Sequence, residues 1–97
     1  GYTVLVAQDG EHALEVARQY PKSIALLITD VVMPKLGGLQ LAERMQTLRP
    51  GLRTLFVSGH MDETALQKLD LGTPTQFLDK PYSLDALARC VRELLGR

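Results

Sequence analysis

Three apolar runs in this chain each end on a polar side chain of a different kind. Leu26-Leu27-Ile28-Thr29 runs into Asp30, Arg53-Thr54-Leu55-Phe56-Val57 into Ser58, and Gln76-Phe77-Leu78-Asp79 into Lys80. A carboxylate, a hydroxyl and an ammonium gathered at one place suit phosphoryl transfer to a carboxylate. Asp acts as the nucleophile, Lys balances phosphate charge, and a hydroxyl donates to a phosphate oxygen. Asp30 alone would read as a residue that ends a strand or caps a turn. The three together change that weighting, provided the fold brings them to one edge.

The elements that would do so alternate along the chain. Tyr2–Ala7, Ile24–Thr29, Arg53–Ser58 and Gln76–Asp79 are predicted strands, rich in apolar and β-branched residues. The unalternating run at Leu26–Ile28 is the pattern of a strand covered on both faces. Between them lie predicted helices over about Gly10–Tyr20, Leu39–Leu48, Asp62–Leu69 and Ser83–Leu95. The inward stripes expected are Ala13, Leu14, Val16, Ala17 and Tyr20 on the first, and Leu41, Ala42, Met45 and Leu48 on the second. The third has a short stripe, Met61, Ala65, Leu66 and Leu69. The last has the most regular one, Leu84, Leu87, Ala88, Val91, Leu94 and Leu95. Asp9 and Ser83 are placed to cap the helices they precede. Pro21, Pro50-Gly51 and Gly72-Thr73-Pro74 break the pattern where turns are required. Strands alternating with helices imply a doubly wound parallel sheet. Right-handed crossovers then bring Asp30, Ser58 and Lys80 to one carboxyl edge, where open α/β sheets place their ligands.

Composition narrows the functional classes. The chain has 97 residues, 45% of them hydrophobic, with eleven basic and eleven acidic side chains. That is one domain and excludes disorder by composition. The absence of a basic excess argues against a nonspecific nucleic-acid partner. No run approaches the ~20 apolar residues that span a bilayer, so no membrane partner is expected and a cytoplasmic setting is. The single cysteine, Cys90, cannot form an internal disulfide and reads as a packing residue. His60, near Ser58, reads as a solvated loop histidine, with control of water access as the alternative. His12 is expected to face water. Met33 and Met45 read as packing residues, and Gly37-Gly38 lacks the context of a nucleotide-binding loop.

The motifs that carry these residues resemble a known family. Leu27-Ile28-Thr29-Asp30-Val31-Val32-Met33-Pro34, Gly38-Leu39, Val57-Ser58-Gly59 and Phe77-Leu78-Asp79-Lys80-Pro81-Tyr82 occur in the order found in the receiver domain of two-component response regulators. The likeness covers essentially the whole chain. The Gly59–Lys80 stretch is similar to receivers at the C-terminus of hybrid sensor histidine kinases. The resemblance implies a flavodoxin-like fold and cytoplasmic signal transduction by phosphorelay. Asp30 would be the phosphoacceptor, Ser58 the switch hydroxyl, Lys80 the phosphate-pairing lysine and Phe77 the switch aromatic, with plain core as the other reading of Phe77. It also implies a cis Lys80–Pro81 bond and Mg²⁺ held by Asp30 and the backbone carbonyl of Val32. The partner would be a histidine kinase or phosphotransfer domain, with phosphotransfer and dephosphorylation catalysed by the receiver itself.

One part of the family pattern is not in this sequence. Receivers open with a strand that ends in an acidic pair, followed by a helix, and those carboxylates complete the metal site. Here Tyr2–Ala7 matches the family's second strand, and Asp9 fits the Asp-Gly entry to the next helix. Residues 1–97 therefore read as a receiver lacking its first β–α unit, with four strands and four helices. That unit's strand would lie between Tyr2–Ala7 and Ile24–Thr29. Its absence would bare strand edges and an apolar face, favouring self-association, unless those two strands pair directly into a compact four-stranded sheet. The second functional reading is an interaction module that no longer depends on phosphorylation. A third, a hydrolase forming an aspartyl phosphate, needs a second carboxylate where Val32 stands.

Overall fold

The computed structural model describes residues 3–31, 36–59 and 75–96. Its elements are β1 (Val4–Ala7), α1 (Gly10–Gln19), β2 (Leu26–Asp30), α2 (Gly38–Leu48), β3 (Arg53–Ser58), β4 (Thr75–Asp79) and α3 (Leu84–Leu95). The predicted helix over Asp62–Leu69, the Gly72–Pro74 loop and His60 lie outside the described residues, as do Val32, Met33 and Pro34. The other predicted elements form within a few residues of their expected limits.

The helix starts follow from local chemistry. The Asp9 carboxylate accepts hydrogen bonds from the backbone N–H groups of Glu11 and His12 at 2.9 and 3.4 Å, satisfying two first-turn donors of α1. The Ser83 hydroxyl accepts from the Ala86 N–H at 3.0 Å and does the same for α3. α2 begins at Gly37 without a side-chain cap. Its Gly38 N–H donates instead to the Val31 carbonyl at 2.8 Å. After α2 the chain turns through Gly51, whose φ of +89° is the left-handed conformation that glycine adopts without a Cβ clash.

The four strands form one parallel sheet in the order β1-β2-β3-β4. β1 therefore pairs directly with β2, Val4 opposite Leu26 and Ala7 opposite Thr29. The expected open position between these two strands is not present; the alternative, direct pairing into a compact four-stranded sheet, is what forms. The ladder continues past the strand limits, with the Ala25 N–H donating to the Thr3 carbonyl at 2.8 Å. Direct pairing satisfies backbone groups on β1 and β2 that a vacant strand position would leave without partners.

α1 and α2 pack on one face of the sheet. Ala13, Leu14 and Ala17 of α1 and Leu41 and Met45 of α2 close over Ala7, Ile24, Leu27 and Leu52. Leu5 and Tyr20 are partly buried against that cluster. α3 lies on the opposite face, where Leu94 packs with Leu26, Leu55 and Val57. β2 is covered on both sides as its apolar run required: Leu26 and Leu27 are fully buried and Thr29 nearly so.

Two expected stripes are shorter in the fold than in the sequence. Leu48, at the last turn of α2, is exposed. On α3 only Leu94 is fully buried, while Leu84 is 81% exposed and Ala88 lies on the exposed side. Helical periodicity records which side chains share a face, but burial needs an opposing surface. α3 packs chiefly over β3 and β4, with Leu94 reaching Leu26 of β2, and its first turn is left exposed at Leu84. His12 is exposed and Met45 is buried, as expected. Cys90 is half-buried against the Leu26–Leu94 cluster, consistent with a packing role.

Candidate functional site

The fold brings Asp30, Ser58 and Lys80 to the carboxyl edge of the sheet. Asp30 is the last residue of β2 and stands opposite Val57, one residue before Ser58 at the end of β3. Ser58 in turn stands opposite Asp79 of β4, and Lys80 follows. The Lys80 N–H donates to the Ser58 carbonyl at 2.9 Å, which carries the β3–β4 ladder up to the lysine. From there the side chain crosses the end of β3 to reach Asp30. Lys80 Nζ lies 2.7 Å from Asp30 Oδ1. The peptide bond to Pro81 is cis, as the motif implied.

This ion pair lies at the surface, with side-chain exposures of 43% for Lys80 and 36% for Asp30. Solvent screening keeps the stabilising value of such a pair small. The hydrogen bond to the Asp30 carboxylate raises the Lys80 pKa above its usual value. The charges of Asp30 and Tyr82 add to this, against an opposing effect of burial. Lys80 is therefore a full cation at neutral pH. Ser58 is 6% exposed, so the hydroxyl-bearing residue is nearly enclosed beside the open pair.

The backbone around Asp30 is held by two glycines. A Cβ on Gly38 would collide with the Asp30 carbonyl oxygen and press on the Val31 Cα. A Cβ on Gly10 would collide with the Leu36 carbonyl oxygen. The start of α2 thus rests directly on the main chain of Asp30, and the start of α1 on the far end of the loop that follows it. In the sequence Asp9-Gly10 reads as a helix entry and Gly37-Gly38 as no nucleotide-binding loop, and neither reads as a positioning contact. The glycines are visible in the sequence, but what they approach is not.

Phe77 lies on β4 and is 39% exposed. It stacks on Phe56 of β3, with ring centroids 5.4 Å apart and planes 13° from parallel. Phe56 is fully buried; it read only as part of an apolar run. Whether a strand residue has an aromatic neighbour depends on register, which sequence does not print.

The metal expectation meets a different arrangement. Asp30 is the acidic residue at the lysine, and an ammonium already occupies one of its oxygens. The Asp9 carboxylate is engaged with the first turn of α1. Among the described residues no three His, Cys, Asp or Glu side chains gather into a group that could hold a metal ion. Val32, the expected carbonyl ligand, lies outside the described residues. Mg²⁺ demands near-octahedral oxygen coordination, and these residues by themselves do not fit it.

The chain matches known proteins along its length. Residues 1–92 match the family described as response regulator receiver domain. The sensor kinase CckA of Brucella abortus is 35% identical over 97 residues, covering all of this chain and 10% of that protein. The response regulator receiver protein CpdR of the same organism is 32% identical over 95 residues, or 98% of this chain and 78% of CpdR. In structure, a response regulator receiver domain protein from Clostridium thermocellum superposes with a TM-score of 0.82 at 19% identity, covering all of this chain and 96% of that one. A CheX–CheY–BeF3–Mg²⁺ complex from Borrelia burgdorferi gives 0.82 at 20% identity, covering 99% and 90%. At those identities the structural likeness speaks for the fold. Among the described residues no helix is long and apolar enough to cross a membrane.

Proposed function

The chain belongs to the response regulator receiver domain family, and we propose that Asp30 is its phosphoacceptor, charged from a phosphohistidine on a histidine kinase or phosphotransfer partner. The observation that carries this reading is the 2.7 Å contact between Lys80 Nζ and Asp30 Oδ1 at the end of a strand adjacent to Ser58. It pairs a nucleophilic carboxylate with a cation that stays charged at neutral pH. One Asp30 oxygen attacks phosphorus while the P–N bond to the donor imidazole breaks, and the leaving imidazole takes up a proton. Lys80 then pairs with the phosphoryl oxygens, and Ser58 donates its hydroxyl proton to one of them. The product is an acyl phosphate on a surface that a protein partner can reach.

Mg²⁺ belongs to the finer reading of this site. The described residues do not make a complete set of ligands, so the cation would need oxygen donors beyond them. In the same reading, residues 1–97 form a single receiver unit without a first β–α unit, and the acidic pair of that unit would supply the missing donors.

The test is uptake of phosphate from acetyl phosphate with Mg²⁺, followed by intact-mass analysis. Joined to a strand–helix unit carrying the acidic pair, the chain should become labelled at Asp30; on its own it should take up little. Asp30→Asn keeps the shape and removes the nucleophile, so labelling should be lost. Labelling of that variant at the unchanged rate would overturn the assignment. No uptake by either form would favour an interaction module that works without phosphorylation.

A further inference from the structure

Phe56 and Phe77 are the two phenylalanines of the chain, and the parallel register makes them direct partners on β3 and β4. Their near-parallel rings, 5.4 Å apart, have the separation and tilt of an offset stack. The surroundings of the two rings differ: Phe56 is fully buried and Phe77 is 39% exposed. One ring is therefore fixed by the core while the other faces solvent on one side. Strand backbone permits more than one χ1 for Phe77, and among the described residues Phe56 is the ring on which it rests. The pair also lies close to the site along both strands. Phe56 precedes Ser58 by two residues and so shares its face of the sheet. Phe77 precedes Lys80 by three, and Lys80 is tied to Ser58 through its N–H and to Asp30 through its ammonium.

We propose that Phe56 is a positioning residue that sets the resting place of the Phe77 ring, and so sets how the exposed aromatic of β4 responds to the state of Asp30. The second half of this inference rests on the phosphoacceptor reading. β4 is held at two points beyond its ladder, by the stacked rings to β3 and by the Lys80 ammonium to Asp30 of β2. A change at Asp30 that moves Lys80 off the carboxylate, as pairing with a phosphoryl group there does, alters the second of them. Phe56 cannot follow, because it is enclosed, so the displacement falls on Phe77. A smaller side chain at position 56 leaves Phe77 distributed between its positions before any signal arrives, which removes the bias from a two-state equilibrium.

Because the chain has two phenylalanines, labelling with para-fluorophenylalanine yields two fluorine resonances, assigned by substitution. Phe77→Leu, a change at a half-exposed position, should leave a folded protein whose Phe56 signal has shifted through loss of the neighbouring ring. An unmoved Phe56 signal would overturn the stack itself. Phe56→Leu should move the Phe77 signal toward that of a solvent-exposed ring. Asp30→Asn, which removes the charge facing Lys80, should shift the Phe77 signal when Phe56 is present and not in Phe56→Leu. An equal shift in both backgrounds would overturn the positioning role. Phosphate uptake at Asp30 with a stationary Phe77 signal would overturn the coupling and leave the phosphoacceptor reading intact. A Phe77 response to Asp30→Asn without any phosphate uptake would do the reverse.

Discussion

On one face of the sheet, α1 and α2 close over Ala7, Leu27 and Leu52 and leave Leu5 partly buried. On the other face α3 packs on β3 and β4, and Val4 and Val6 of β1 are left 38% and 59% exposed. β1 carries apolar residues toward both sides, Leu5 and Ala7 toward the first face and Val4 and Val6 toward the second. The strand is equally suited to cover on either side, and among the described residues only one side has it. α1 and α2 connect β1 to β2 and β2 to β3 on the same face, whereas among the described elements α3 is the one on the other. A single helix covers about 10 Å of sheet width, roughly two strands at the usual ~4.8 Å spacing. The closed face is also tied by polar groups. Arg49, just beyond α2, donates to the carbonyls of Ala17, Tyr20 and Lys22 at 2.9, 2.7 and 2.6 Å and so caps the end of α1 from another element.

The largest expected difference between the faces is in packing. Leu41→Ala opens a void beneath two helices and is expected to cost about 2–5 kcal/mol. Leu84→Ala, on the exposed first turn of α3, is expected to stay within about 0.5 kcal/mol. Urea unfolding of the two variants measures both. Equal losses would mean that the α3 face is as enclosed in solution as the α2 face, and the contrast drawn above would fail.

A smaller loss is expected from the polar clamp. Arg49→Ala strips two partly buried carbonyls and one exposed carbonyl of a charged donor and is expected to cost about 1–3 kcal/mol. Arg49→Lys should recover only part of it, since an ammonium lacks the planar fork that reaches separated acceptors. Amide hydrogen exchange at the last turn of α1 checks the mechanism: protection there should fall more than in α3. Uniform loss across the chain would place the effect elsewhere.

The smallest effect is at the carboxyl edge, where neither face encloses the charges. Lys80 has a pKa raised above 10.5 in the folded protein, chiefly by its hydrogen bond to Asp30. A group with a raised folded pKa contributes stability below its unfolded pKa and loses it as pH climbs through the folded one. The pair should therefore be constant through neutral pH and weaken only on the alkaline side of 10.5. Titration of Lys80 by NMR in wild type and Asp30→Asn measures this. A wild-type lysine that titrates no higher than the variant would show that the carboxylate is not held beside it.

Much of the protein was legible in its residues. The alternation of β-branched runs with helical stripes determined a parallel α/β sheet, because parallel neighbours need crossovers. The positions of Asp30, Ser58 and Lys80 at run ends determined that they would share an edge. Asp9 and Ser83 determined two helix starts by chemistry that acts over three residues. All of these depend on interactions close in sequence or on rules of chain connection. Tertiary structure alone decided that β1 would pair with β2, that Phe56 would meet Phe77, and that Gly38 would rest on the carbonyl of Asp30. It also left Leu84 without a surface to cover while burying Leu94 one helix length away. Those outcomes depend on register and on which layer a helix reaches. A residue's own type and spacing state what it can bury or bond, and only the neighbour brought by the fold decides whether it does.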